Sequence, residues 1–468
     1  MKTIDNLRGL RLGIAALLSL AGASHAAVTA EEAAALGKNL TRFGAEAGPN
    51  ADGSIPAYKG GLQTPPASYK AGAARYTDPF AGSKPLYSIT AENVAQHASL
   101  LSEGTLAMLK KGSGYRVDVY PTERSMAYPE WFLANTEKNA TTATLTGKVE
   151  GDKVSGAAAD GYPFQGIPFP IPKTGYEAMW NALLRFAPPV SMMRSKNYFI
   201  DTSGKLNNLP GFDAGYFHPW SEETGALRKQ TYDGYFGFST LLTSPPTQAG
   251  THFLNYYQPD SAADTPIWFY TPGQRRVRKA PEFAYDIPMT AYAGVLFWDE
   301  PWAFVGRMDR FDMKLVGKQE MIVPYNVFGI TNEKGAEALG KEFISPDAVR
   351  WEKRRVWVVE ATRKEGARHA YSKRRFFIEE DCWCFVGAET YDDTGSLWRV
   401  TQGYMFPAYD VGGGMNGDTF VTYDVLKGNY LIINTDRNVE GNFVRHHKTA
   451  DGLNIKMSPQ AIAAGSVR

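Results

Sequence analysis

The hairpin rhythm between residues 351 and 406 restricts the fold more than any other feature of this chain. Residues 351–360 (Trp-Glu-Lys-Arg-Arg-Val-Trp-Val-Val-Glu) carry the β-branched and aromatic side chains of a strand. Residues 364–368 form a turn, and 371–378 return. Glu379, Glu380 and Asp381 interrupt, 382–386 resume, and Asp392-Asp393-Thr394-Gly395 predicts the next hairpin turn before a strand at 397–402. The strand–helix alternation of a parallel sheet is missing, so the chain from about residue 197 reads as a long antiparallel meander. Such a sheet hides its apolar face against a second sheet, or by curling round helices or a ligand. The 25 Tyr, 25 Phe and 10 Trp supply that face.

Helices predicted near residues 92–109, 176–186 and 332–342 are the natural fillers of the concave side. Thr29, followed by Glu31, Glu32 and an alanine run, predicts an N-capped helix. Turn formers from Gly48 to Pro56 predict a chain lying over a surface. Residues 162–172 alternate proline with aromatic and apolar residues and predict a rigid extended loop, because proline has no N–H to donate to a ladder. The expected organisation is a leader at 1–26, a helical and extended segment at 27–110, and a curved antiparallel β domain with a helical plug at 111–468.

The leader is expected from Lys2, Arg8 and Arg11, the uncharged run 12–23, and Ser24-His25-Ala26, which places small residues where a signal peptidase cuts. Its apolar run is too short to cross a bilayer about 30 Å thick. Its removal takes Lys2, Arg8, Arg11 and Asp5 with it, so the net charge passes from +1 to −1. A chain so near neutrality and bound for the periplasm gives no reason to expect a nucleic-acid partner.

No catalytic pattern stands out. The histidines that follow the leader, at 97, 218, 252, 369, 446 and 447, fall in no zinc spacing, so neither a metal nor a cofactor is expected. Gly237-Phe-Ser-Thr-Leu241 lacks the second glycine of a nucleophile elbow. Cys382 and Cys384, one residue apart, would project in parallel from one face of a strand, a poor disposition for a disulfide. They read as two small strand side chains.

The most unusual local stretch is residues 268–281. An aromatic strand with Trp268 and Tyr270 runs into a Pro272-Gly273 turn, and a basic strand with Arg275, Arg276, Arg278 and Lys279 leaves it. Alternation sets Arg276 and Arg278 on one face and Arg275, Val277 and Lys279 on the other. Two readings stand: a solvated face with ion pairs, or a basic rim that receives an anionic head group or an acidic partner surface.

Around these residues the chain resembles a known family. The resemblance is carried by Ala30-Glu-Glu-Ala-Ala-Ala-Leu-Gly-Lys-Asn-Leu-Thr41, Asn50-Ala-Asp-Gly-Ser-Ile-Pro-Ala-Tyr-Lys-Gly-Gly61 and Gly273-Gln-Arg-Arg-Val-Arg-Lys-Ala-Pro281. Tyr285-Asp286, Val323-Pro-Tyr-Asn326, Arg374-Arg-Phe-Phe-Ile-Glu-Glu-Asp-Cys-Trp383 and Tyr391-Asp-Asp-Thr-Gly-Ser-Leu-Trp-Arg399 extend it. Together they resemble the proteobacterial domain-of-unknown-function family 1329, related in fold to the periplasmic lipoprotein carriers LolA and LolB. The resemblance implies an incomplete antiparallel β-barrel, mainly β, curled around a helical plug and enclosing an apolar cavity. It implies a periplasmic carrier of a lipid or other hydrophobic molecule, not an enzyme. It also implies partnership with an inner-membrane exporter of the resistance–nodulation–division type and an outer-membrane protein. A periplasmic adaptor without cargo is the alternative. Trp268, Tyr270, Trp357 and Phe377 are the residues expected to line or border the cavity.

Overall fold

Strand follows strand through most of the chain, and the computed structural model describes residues 28–111, 114–149, 151–261, 263, 265–280, 285–292 and 294–464. The expected leader, 1–26, lies outside the described residues. A 17-stranded sheet dominates. Four of its strands are short accessories: Tyr87–Ile89, Val117–Tyr120, Leu206–Asn208 and Phe443–His447. The other thirteen run in chain order as β1 (Val190–Ile200), β2 (Phe212–Phe217), β3 (Phe236–Leu242), β4 (His252–Tyr257), β5 (Ile267–Thr271) and β6 (Arg276–Lys279). After a long connection come β7 (Phe311–Pro324), β8 (Trp351–Arg363), β9 (Lys373–Glu379), β10 (Phe385–Tyr391), β11 (Leu397–Pro407), β12 (Met415–Asp424) and β13 (Asn429–Thr435).

Two antiparallel meanders, β1–β6 and β7–β13, join where β13 pairs with the second half of β1. The first half of β1 pairs instead with β2. Spatially the order is therefore β7 to β13, then β1 to β6. Among the described residues the terminal strands β6 and β7 do not pair with each other, so the barrel is incomplete. One parallel contact, Val117–Tyr120 against the start of β8, makes the sheet mixed. The turn predicted at Asp392–Gly395 is present: Asp392 accepts from the Thr394 and Ser396 N–H groups at 2.9 Å, and Gly395 takes φ +78°.

The inner face gathers Tyr216 and Tyr257 from one meander and Val359, Phe376 and Phe420 from the other into one core cluster. At its centre is the plug. Of the helices α1 (Glu103–Lys110), α2 (Glu130–Ala140) and α3 (Gly175–Leu183), only α3 is buried at every position. Thr174 and Glu177 cap it reciprocally, so its polar start is satisfied without water. Tyr176 Oη donates to the Phe311 carbonyl at 2.8 Å, and the Trp180 ring lies 6.0 Å from that of Tyr235. The helix thereby touches both meanders. Gly175 is needed for this approach: a Cβ there would stand 2.5 Å from the Met313 backbone.

Several expectations are corrected. The helix expected at 92–109 is split into a 3₁₀ turn, Val94–Leu100, and α1, because Ser102 caps Thr105 and starts a new helix. That expected at 332–342 is a π-helical turn, Gly329–Lys334, followed by a short 3₁₀ turn. Both pack on the outer face of the second meander, in the cluster of Leu109, Ile330, Val421 and Ile432, and do not fill the concave side. Helix α2 stands in a region read as mainly strand; its buried Phe132, Thr136, Asn139 and Ala140 follow helical spacing.

The cysteines are corrected as well. Cys382 and Cys384 precede β10 and lie in a turn where Trp383 takes φ +55°. The turn swings the two side chains together, and they form a disulfide with Cα atoms 5.1 Å apart, inside the usual span for such a bond.

Candidate functional site

The inner faces of β2, β3 and β4 do not meet the plug everywhere. They leave a cavity of about 310 Å³ floored by Phe238, Phe253 and Tyr257 and bounded on the second meander by Phe420 and Ile433. Alternation builds the floor: Phe238, Thr240 and Leu242 project inward from β3 at every second position. The roof comes from the long connection between the meanders, through residues 287–292 and 296–302. It is a small hairpin, with Met289 N–H donating to the Leu296 carbonyl at 2.8 Å and Trp298 N–H to the Ile287 carbonyl at 3.1 Å. Ile287 lines the cavity and is 41% exposed, so the cavity reaches the surface beside it. No charged side chain lines this space among the described residues.

Trp302 is the keystone of the roof. Its ring lies 4.9 Å from Phe236 and 5.4 Å from Tyr216, both edge-on, and 6.1 Å from Phe420. Trp302 and Ala303 both have positive φ, +56° and +77°, a conformation that costs about 1–3 kcal/mol per residue unless the surroundings impose it. Here they do. Arg374 donates to the Asp299 carboxylate at 2.6 Å and to the main-chain carbonyls of Asp299 and Ala303 at 3.2 and 3.1 Å. Arg399 holds Glu300 at 2.6 Å, and Tyr371 also bonds that carboxylate. Burial alone would raise the Asp299 carboxyl; Arg374 and His369 outweigh it and keep the group below the usual carboxylate range.

The residues expected to line the cavity lie elsewhere. Trp268 pairs with Leu254 and Tyr270 with His252, which puts both on the outer face of the first meander. There they join Tyr256 and Ile462 in a separate cluster. Phe269, opposite Phe253, has the inner side. Trp357 stacks on Trp383 at 6.2 Å with Lys318 Nζ 4.8 Å over its ring. Phe377 borders a gap of only about 20 Å³ with Met321 and Ala388. Arg275, Arg276, Arg278 and Lys279 are all exposed at the edge strand β6 or its turn, so no cationic pair faces inward. Arg275 itself is in the turn, with φ +50°. The lining residues Phe238, Tyr257, Met289, Trp302 and Phe420 were not anticipated. The alternation of β3 and the acidic pair Asp299-Glu300 inside an aromatic run were the available signals.

Among the described residues, no group of three or more His, Cys, Asp or Glu side chains could hold a metal ion, and no helix is long and apolar enough to cross a membrane.

Comparison with known proteins places the chain. The family model described as protein of unknown function (DUF1329) matches residues 88–463. An uncharacterized protein of Pseudomonas aeruginosa is 36% identical over 449 residues, covering 92% of this chain and 93% of that protein. The crystal structure of a DUF1329 family protein from Desulfovibrio piger is 15% identical, covers 60% of this chain and 93% of that one, and has a TM-score of 0.38. A putative outer membrane lipoprotein-sorting protein domain from Vibrio parahaemolyticus is 12% identical, covers 62% and 98%, and has a TM-score of 0.40. With the family model spanning most of its length and a relative aligned nearly end to end, this chain belongs to the DUF1329 family.

Proposed function

We propose that the protein is a non-catalytic periplasmic carrier, which takes a lipid or other hydrophobic molecule into the cavity under the 287–302 roof and passes it between components of the cell envelope. The observation that carries this reading is the cavity itself: about 310 Å³, aromatic, uncharged and open beside Ile287. That is within the size range of small-molecule pockets. A ligand hiding about 200 Å² of apolar surface there gains roughly 5 kcal/mol at 25 cal/mol per Å², before the cost of immobilising it. The lining offers no acid–base pair and no nucleophile with a base beside it, which favours holding over chemistry. In this reading the carrier works with an inner-membrane exporter of the resistance–nodulation–division type and an outer-membrane protein.

The direct test titrates the delipidated protein with the apolar fluorophore N-phenyl-1-naphthylamine. Saturable, blue-shifted uptake at one site, displaced by an envelope lipid extract, is the expected result. Absence of saturable uptake would favour the adaptor, which needs a docking surface and no cargo.

A further inference from the structure

The deeply buried arginines of this protein are paired with carboxylates. Arg124 holds Asp381, Arg354 holds Glu379 and Asp381, Arg374 holds Asp299, Arg399 holds Glu300, and Arg437 holds Asp418. That pattern follows from the cost of an uncompensated buried charge. Arg185, just beyond the end of α3 and partly buried, departs from it. Its Nη1 donates to the Ala182 carbonyl at 3.1 Å, its Nε has no partner, and among the described residues no carboxylate forms an ion pair with it. Burial pulls its pKa down to about 10.

Arg185 faces a chamber of about 40 Å³, lined also by Ser191, His218, Asn416 and Asp418. A space that size holds about three waters or one small head group. Tyr216 and Trp302 line both this chamber and the apolar cavity, so the two spaces meet at this ring pair, 5.4 Å between centroids, which a ligand occupying both has to part. His218 Nδ1 donates to the Pro188 carbonyl at 3.1 Å, since a carbonyl only accepts, and its Nε2 is then an acceptor in the neutral ring. Asp418 has one oxygen on Arg437 at 2.8 Å, which balances its charge, and its other oxygen is unpaired. Among the described residues, Arg185 is the cation of the chamber that no ion pair balances.

Resting on the carrier reading, we propose that the ligand is an amphiphile with an anionic head, a carboxylate or a phosphate monoester, received by the Arg185 guanidinium in the polar chamber while its apolar tail fills the cavity beside Trp302. A planar guanidinium suits either head, and it discriminates against a neutral one of equal length. The exposed basic strand β6 is not needed for this recognition.

The test is calorimetric titration of the delipidated full mature chain with dodecanoate, dodecyl phosphate and methyl dodecanoate, each below its micelle concentration. At least one acid should bind about tenfold or more tightly than the ester, and the preferred acid names the head. Arg185→Gln should weaken the acids by a similar factor and leave the ester within about twofold, and Arg185→Lys should recover part of the loss. A wild-type protein that binds ester and acids equally overturns the head site and leaves the carrier standing. That ratio needs no variant, so a misfolded Arg185→Gln does not shelter the proposal. An acid preference that survives in folded Arg185→Gln also overturns it. Binding of none of the three overturns both readings.

Discussion

Arg374 on β9 and Asp299 in the roof lie 2.6 Å apart, both buried, and this pair pins the covering of the apolar cavity to the second meander. Among the described residues, the connection that makes the roof has only its small hairpin and short turns. Its position therefore depends on ionic anchors more than on ladder bonds.

Breaking the anchor exposes that dependence. Arg374→Met leaves Asp299 buried with only His369 beside its carboxylate, and chemical denaturation should show a loss of about 3–5 kcal/mol. Adding Asp299→Leu should restore part of it, since removing both charges is less costly than removing one. Additive losses in the double variant would contradict the account.

The cavity's location is tested by paired substitutions. Ala291 lines the roof and Trp268 packs on the outer face. Ala291→Trp should reduce uptake of N-phenyl-1-naphthylamine by about tenfold or more, by filling the space the ligand needs. Trp268→Ala should leave uptake within about twofold and act on stability instead, by roughly 3–5 kcal/mol at most. The reverse pattern would place the cavity on the wrong side of the sheet.

Histidines that the fold keeps neutral contribute to the acid side of the stability profile. His218 is pushed down to about 3 by burial and by Arg185, and His252 to about 4 by burial and by Lys456. Below pH about 6.5 the unfolded chain takes up protons at these positions and the folded chain does not. Stability should therefore fall as pH drops from 6.5 toward 4, by about 1.4 kcal/mol per pH unit for each such histidine. His218→Gln should flatten this slope in denaturation curves collected across that range. An unchanged slope would show that His218 is protonated in the fold.

Cys382 and Cys384 should give no free thiol when the protein is unfolded in denaturant without reductant, and two after reduction, by a thiol-reactive dye. Dye reaction before reduction would contradict the disulfide.

Much of the fold was legible, and the reasons are local. Strands β8 to β11 follow from β-branched and aromatic runs, the Asp392–Gly395 turn from its Asx chemistry, and α3 from its apolar periodicity. The cavity was not legible. Trp268 and Tyr270 are large and apolar, but an open sheet has two covered faces here, and their one-residue phase selects the outer one. The same ambiguity sent α1 and the 329–338 turns to the outer face. The roof has no period to read, and its anchors meet across separations of 70 to 99 residues. Arg185 looks like an ordinary helix-end arginine until its surroundings are seen.

Native mass spectrometry of the protein, purified gently from a periplasmic extract, tests the central claim most directly. The account predicts a discrete hydrophobic adduct that is lost on unfolding and recovered by organic extraction. A clean apo mass, with no uptake from an envelope lipid extract, would contradict it.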